Sequence, residues 1–346
     1  MGKCGNGENV ESVRVSLERM TGAPKNASVD ELSGMLASAD EGFWREIFAA
    51  AREVKEKCGK TEVLPRGLIE TSNICAKDCL YCGIRKGNAK VPRYLIPDEE
   101  VKECIDEARR RGYPAVAFQA GEIESEANTA YYERHIAICR GLEVTLSLGE
   151  QTEEVYRRWK DAGAMRYLIR IETSNRELYA KIHPAECSFE RRLGCIRMLK
   201  RLGYVTGSGV MIGLPGQTVE DLARDIVFYG DEGLDMVGMG PYVPHPQASL
   251  QGAERQQAYD SKRNFRMSLR MIALTRLYLH DVNIVAATAL EALDPEGGRN
   301  RGIEAGANVV MPVLTPEKYR GSYDLYPGKV RMTTSVRQQG EGRGVR

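Results

Sequence analysis

Gly67-Leu-Ile-Glu-Thr-Ser-Asn-Ile-Cys-Ala-Lys-Asp-Cys-Leu-Tyr-Cys-Gly83 opens with a short apolar run, ends that run in polar residues, and passes at once into three closely spaced cysteines. Its first six residues read as a β-strand. The same pattern, a short apolar run closed by polar residues or glycine and followed by an amphipathic charged stretch, recurs along the chain. The strand candidates are Gly67–Ser72, Ala115–Glu122, Glu143–Glu150, Arg166–Thr173, Gly207–Gly213, Asp235–Gly240, Asn283–Thr288 and Ala307–Pro312. Helical runs lie between them at Pro97–Arg111, Thr152–Ala162, Glu190–Leu202, Val219–Gly230 and Ser261–Leu279. Eight alternating units predict an α/β fold, a (β/α)8 TIM-type barrel of parallel strands, over residues 63–330. An open doubly wound sheet is the alternative that eight repeats disfavour. Upstream, Val10–Met20, Val29–Ala37 and Ala39–Lys57 carry helical spacing, with Ser28 and Ser38 as caps, and predict an N-terminal helical extension over residues 1–62. Residues 331–346 are polar, glycine-bearing and free of cysteine, which predicts a disordered tail.

Cys75, Cys79 and Cys82 stand three and two residues apart. Three thiolates can hold three irons of a 4Fe-4S cube and leave the fourth iron open to a small molecule with an amine and a carboxylate. A structural zinc site wants four nitrogen or sulfur ligands, and no fourth Cys or His lies nearby in sequence. A disulfide is disfavoured by an odd total of nine cysteines and by an N-terminus, Met1-Gly-Lys-Cys-Gly-Asn, with no apolar stretch. The other six, Cys4, Cys58, Cys104, Cys139, Cys187 and Cys195, read as small hydrophobes; a second Fe-S site built from them is the competing reading.

Lys and Arg number 49 against 48 for Asp and Glu, so the net charge of +1 supplies no long-range attraction to nucleic acid or to an anionic membrane. No stretch reaches the roughly 20 apolar residues needed to span a bilayer. Free thiols suit a reducing compartment, and a cytoplasmic location is expected.

Polar residues gather at the C-terminal ends of the predicted strands, where barrel active sites lie. The three cysteines follow the first strand, and Gly121 and Glu122 close the second. Thr145 and Ser147 share one face of the third; Arg166, Arg170 and Glu172 share one face of the fourth. A buried Arg and Glu there implies a polar ligand or a structural ion pair. The glycines of Gly207–Thr218 do not match a dinucleotide fingerprint; they serve either close approach of a flat ring or a tight turn. His245, among three prolines in Gly240–Pro246, reads as a loop brace.

The cysteine pattern is that of the radical S-adenosylmethionine (SAM) enzymes. Within them the chain resembles the HydE family of FeFe-hydrogenase maturases and, more distantly, biotin synthase and methylornithine synthase. The similarity covers about Leu64 to Lys329. It rests on Ser72–Gly83, Thr145–Glu150, Arg166–Thr173, Gly213–Thr218, Gly240–Pro246, Gly306–Pro312 and Tyr326–Lys329. The resemblance implies that Cys75, Cys79 and Cys82 hold the cluster and that Gly121, Glu122, Thr145, Ser147, Arg170, Glu172 and Arg192 bind SAM. It also implies that Arg166, Thr288, Tyr319, Arg320 and Tyr323 lie near a substrate cavity. The implied chemistry is reductive cleavage of SAM to a 5'-deoxyadenosyl radical. The implied substrate is an organometallic iron complex carrying cysteine, carbon monoxide and cyanide. An electron donor such as ferredoxin or flavodoxin, and other hydrogenase maturases, are the implied partners.

The chain departs from the family pattern at Ala120, Ala287 and Glu291, the last a carboxylate where a small residue is expected near the cavity. A related mutase acting on an amino acid or another organic substrate, a sulfur-inserting enzyme and a non-enzymatic Fe-S carrier are the competing functions. A carrier would have no use for the SAM set, and sulfur insertion would need a second cluster.

Overall fold

The computed structural model describes residues 6–250 and 259–329. Eight parallel strands, β1 (Leu64–Ser72), β2 (Ala115–Ala120), β3 (Glu143–Ser147), β4 (Arg166–Leu168), β5 (Val205–Ser208), β6 (Met236–Val237), β7 (Asn283–Ile284) and β8 (Val309–Val310), lie in the order β8-β1-β2-β3-β4-β5-β6-β7. A bridge between Val285 and Val309, with Ala286 N–H donating to the Val309 carbonyl at 2.9 Å, joins the two end strands and closes the barrel. Closure removes both sheet edges. Alternation sets the two faces: Ile69, Val116, Phe118, Val144, Leu146 and Tyr167 point outward into the main core, while Leu68, Ala117 and Val313 meet on the barrel axis.

The helices expected between strands form with ends shifted by at most one residue, at Asp98–Arg110, Glu153–Asp161, Phe189–Arg201, Val219–Asp231 and Ser261–Leu279. Between β2 and β3 a further helix, Glu126–Ile138, was not predicted. It buries a mixed set, Thr129, Tyr131, Tyr132, His135 and Ile136, so its apolar and polar residues do not segregate at helical spacing.

The upstream helices are Asn6–Gly22, Val29–Ala37 and Glu41–Lys57. Ser28 caps the second through a reciprocal capping box with Glu31. Ser38 does not cap the third; Asp40 does, accepting from the Gly42 and Phe43 amides, while Ser38 ends the second. These helices pack on the outer layer of the barrel. Trp44 is fully buried under the Arg270 guanidinium, 4.3 Å from its ring centroid, and Lys55 Nζ donates to the Ile303 carbonyl at 3.0 Å. Burial of one such large side chain contributes about 1.5–3 kcal/mol. No helix among the described residues is long and apolar enough to cross a membrane. The tail expected over 331–346 and Cys4 lie outside the described residues.

One outer-layer group makes the fold pH-sensitive. Asp225 is fully buried, with Oδ1 accepting from Ser174 N–H (2.7 Å) and Oγ–H (2.6 Å) and Oδ2 without a partner. Burial pushes its carboxyl up to about 7, against the opposing Ser174 donors. An acid whose folded pKa lies above the unfolded value of about 3.9 keeps its proton longer in the native state, so stability falls as pH rises from about 4 to 7. Asp225→Asn keeps the Oδ1 acceptor and removes the charge. Urea denaturation should find the two proteins alike near pH 4–5 and the variant more stable at pH 8 by a few kcal/mol; an identical difference at both pH values would contradict the assignment.

Candidate active site

β1 ends at Ser72, and the cysteine loop crosses the C-terminal mouth of the barrel. The loop is held from below by the end of β2: Gly121 N–H donates to the Ser72 carbonyl (3.0 Å) and Ala76 N–H to the Glu122 carbonyl (2.8 Å). Gly121 is required at this crossing, because a Cβ there would stand 2.2 Å from the Ile74 carbonyl oxygen and 2.8 Å from Cys75 Cβ. Two backbone amides, of Lys77 (3.4 Å) and Glu122 (3.3 Å), donate to Cys75 Sγ, an arrangement that suits a thiolate. Burial raises the Cys75 thiol and pushes Cys82 up to about 12; contact with Cys187, then burial, raises Cys79. Three half-buried thiols raised in this way ionise most readily beside positive charge, which a metal cluster would supply.

A charged network adjoins the loop. Arg192, from the helix Phe189–Arg201, donates through Nε to Glu150 Oε1 (2.7 Å), through Nη2 to Glu122 Oε2 (3.4 Å) and through Nη1 to the Arg170 carbonyl (3.0 Å). Lys77 reaches the same two carboxylates, 3.1 Å from Glu122 Oε1 and 3.4 Å from Glu150 Oε2. Glu150 stays below the usual carboxylate range: burial opposes its charge, but Arg192, Lys77 and Arg191 together outweigh it. Burial raises Glu122 despite Arg192. Its Oε1 faces Lys77 Nζ and its Oε2 faces Arg192 Nη2, so both oxygens of this buried carboxylate stand beside a cation. Gly149, at φ +78°, makes room for it, since a Cβ there would lie 2.2 Å from Glu122 Oε2.

Glu172 adopts φ +66°, a left-handed conformation costly for a side chain of this kind. The strand chemistry around it enforces that geometry: Glu172 N–H donates to the Gly209 carbonyl and Met211 N–H to the Glu172 carbonyl, both at 3.0 Å. Arg170 Nε donates to Glu172 Oε2 (3.0 Å) and Arg170 Nη2 to the Val210 carbonyl (2.9 Å). Arg170, Glu172, Arg192, Glu122 and the cysteine loop thus lie at one mouth of the barrel. Ser147 is the last residue of β3 on that side.

Two predicted residues lie deeper. Arg166 opens β4 at the opposite end of the barrel, where its Nε donates to Glu143 Oε2 at 2.9 Å. Thr145, two residues below Ser147, accepts from Arg66 Nη1 at 3.4 Å rather than facing the cysteine loop. The shared strand face was read correctly, but its polar residues span the height of the barrel. Tyr319 is also turned away: its ring stacks on Tyr94 (4.8 Å) and its hydroxyl donates to Glu100 (3.2 Å) on the outer helix Asp98–Arg110. Arg320 Nε donates to the Thr315 carbonyl at 2.6 Å.

Thr288 lies under the segment of residues 322–329, which itself carries Tyr323. This segment accepts from Asn73 Nδ2 at the Ser322 carbonyl (2.6 Å) and from Gly83 N–H at the Leu325 carbonyl (3.2 Å). Its Tyr326 hydroxyl bonds Thr288 Oγ1 at 2.6 Å. His245 braces it, accepting from Gln247 N–H at Nδ1 and so donating from Nε2 to Asp324 Oδ2 at 3.2 Å. The segment ends in Lys329, whose Nζ is ion-paired with the fully buried Glu70 and lies 4.6 Å from the Tyr323 ring centroid. Sequence reasoning missed Lys77, Glu150 and the Glu70–Lys329 pair. Glu291 does not stand free, being paired with Arg299 at 2.5 Å. In the Gly213–Thr218 loop, Gln217 Oε1 accepts from the Gly213 and Leu214 amides, the pattern of a tight turn.

Residues 69–228 match the radical SAM superfamily. The chain is 44% identical over 86% of its length to the FeFe-hydrogenase maturase subunit HydE of Thermotoga maritima, covering 84% of that protein. It is 26% identical over 83% of its length to 3-methylornithine synthase of Methanosarcina acetivorans, covering 79% of it. A crystal structure of methylornithine synthase shares the fold with a TM-score of 0.75 at 22% identity, over 95% of this chain and 91% of that one. The cysteine loop, the closed barrel and these relationships agree: the chain belongs to the radical SAM superfamily, enzymes that use a 4Fe-4S cluster and SAM, and within it to the HydE family.

Proposed function

We propose that the chain is a HydE-type maturase, acting on a cysteine-bound iron carbonyl cyanide precursor in assembly of the FeFe-hydrogenase cofactor. The identity of 44% across 84% of HydE carries this reading. Cys75, Cys79 and Cys82 would hold the 4Fe-4S cluster, and the Glu122 carboxylate suits the SAM amine. The Arg170 and Arg192 guanidinium groups suit its carboxylate, Glu172 its ribose hydroxyls, and Ser147 edges the same pocket. When bound, the cluster and SAM supply a 5'-deoxyadenosyl radical by reductive cleavage.

The chain's own residues position and enclose that chemistry. Arg192 holds Glu122 and Glu150 in place and favours the charge on Glu150, and the strained Glu172 backbone fixes a carboxylate at the rim. Residues 322–329, with Tyr323, Tyr326 and Thr288, roof the mouth and keep water from it. A low-potential donor such as ferredoxin or flavodoxin would bring the electron, other maturases would deliver the precursor, and free thiols suit a reducing cytoplasm. The 26% identity to 3-methylornithine synthase supports the rival reading, a mutase acting on an amino acid.

The deciding experiment is anaerobic: reconstitute the cluster, add reductant and SAM, and quantify 5'-deoxyadenosine with and without the synthetic iron complex. Strong stimulation is expected; cleavage without stimulation would leave a radical SAM enzyme with another substrate. Cys79→Ala should abolish cleavage altogether, and retained turnover from an intact cluster would refute the ligand assignment. Glu122→Gln should weaken SAM binding, followed by equilibrium dialysis, by about one to two orders of magnitude, the loss of a charge-assisted hydrogen bond worth about 1.5–3 kcal/mol; unchanged affinity would put the amine elsewhere.

A further inference from the structure

The segment that runs through and beyond the cysteines is strongly basic. Residues 77–93 hold Lys77, Arg85, Lys86, Lys90 and Arg93 against a single acid, Asp78, in a chain whose net charge is +1. Lys77 is turned inward to Glu122 and Glu150. Asp78 is engaged within the segment, accepting from Arg85 Nη1 and from the Gly87 amide, both at 2.8 Å. Arg93 donates to four backbone carbonyls, of Asn73 (2.6 Å), Ile84 (2.7 Å), Arg85 (2.6 Å) and Asn88 (3.1 Å), so its charge meets no carboxylate. Lys86 and Lys90 are exposed, and neither has an ion-pair partner among the described residues. Of the acids that follow, Asp98 and Glu100 are paired with Arg134 and Lys318, which leaves Glu99 as the one uncompensated carboxylate of that turn.

Two exposed large apolar side chains stand beside these cations. Ile74 is 40% and Leu95 49% exposed. Ile74 immediately precedes Cys75, and Leu95 is bridged to Ser72, two residues before Ile74. The basic segment is tied to the same stretch by the Arg93 bond to the Asn73 carbonyl and by Lys86 N–H on the Lys77 carbonyl at 2.8 Å. Exposed apolar side chains with a charged border are the pattern of a protein-binding surface. Uncompensated cations select an acidic partner and steer its approach even where the whole chain is nearly neutral. Position selects what that partner does. Electron transfer weakens steeply with distance, and this surface begins one residue from a proposed cluster ligand. Contacts between electron-transfer proteins are small, so a few residues of this kind suffice.

We propose that Ile74, Lys86, Lys90, Arg93 and Leu95 form the docking surface for a small acidic electron-transfer protein of the ferredoxin or flavodoxin kind. One electron passes from the reduced donor to the cluster; the donor is oxidised, the cluster is reduced, and no bond forms or breaks in that step. This inference rests on Cys75, Cys79 and Cys82 holding the cluster. The test measures 5'-deoxyadenosine formation by the reconstituted full-length protein over a range of sodium chloride concentrations. The reductant is a purified pre-reduced ferredoxin, a purified pre-reduced flavodoxin, or saturating dithionite. Cleavage of SAM by wild type with dithionite checks the underlying reading separately. In Lys86→Glu/Lys90→Glu, cleavage driven by the protein donor should fall about tenfold or more at low salt and lose its salt dependence, with dithionite-driven cleavage unchanged. Leu95→Gln leaves the charge untouched and should raise the donor concentration needed for half-maximal rate severalfold. Arg52→Glu/Lys57→Glu, the same change of charge on the helix Glu41–Lys57, should keep wild-type rates with every reductant. Donor-driven rates that match wild type in Lys86→Glu/Lys90→Glu would overturn the proposal and leave the surface to another partner. Equal losses with dithionite, an equal loss in Arg52→Glu/Lys57→Glu, or a wild type that dithionite reduces and neither donor does would overturn it as well.

Discussion

Arg192 is buried together with Glu122 and Glu150, and each of the three would cost several kcal/mol if left there unpaired. Their mutual pairing, completed by Lys77, fixes the relative positions of four segments that are far apart in sequence: the cysteine loop, the end of β2, the loop after β3 and the helix Phe189–Arg201. The barrel brings these segments to one rim, and the ion network sets their spacing. Because the guanidinium also binds the Arg170 carbonyl at 3.0 Å, the strained stretch that ends in Glu172 is anchored to the same point. A site meant to grip a charged amino-acid group gains from this arrangement, since its carboxylates and guanidinium groups are already desolvated and oriented before a ligand arrives.

Much of this was legible in the sequence, and the reasons are local. Period-two runs such as Ala115–Ala120 and Glu143–Ser147 mark strands with one face on the core, and eight of them leave few topologies for parallel connection. The cysteine triplet is informative because all its ligands lie within one loop. What escaped depends on partners distant along the chain. Nothing near Glu70 announces Lys329, 259 residues away, and nothing near Glu150 announces Arg192, 42 residues away. The depth of Thr145 and Arg166 was equally hidden: alternation tells which face a side chain takes but not which layer of the barrel it reaches. Tyr319 was misplaced for a related reason, since its stacking on Tyr94 is a tertiary contact.

One departure from the family pattern, Glu291, also gains a physical account. A carboxylate at position 291 would oppose an anionic ligand if it faced inward unpaired, but Arg299 neutralises it at 2.5 Å. The roof formed by residues 322–329 makes a second point. Its ties run to Asn73, Gly83, His245, Thr288 and Glu70, so closure of the mouth and support of the cysteine loop are one structure. On the proposed reading, these ties would hold three thiols in place around a cluster whose fourth iron stays open to SAM.

That last property is the centre of the account, and Mössbauer spectroscopy of protein reconstituted with iron-57 tests it most directly. If Cys75, Cys79 and Cys82 hold three irons and the fourth is reserved for SAM, addition of SAM should shift the signal of one iron in four while the other three stay unchanged. A spectrum in which SAM alters none of the four irons, or all of them alike, would contradict the account.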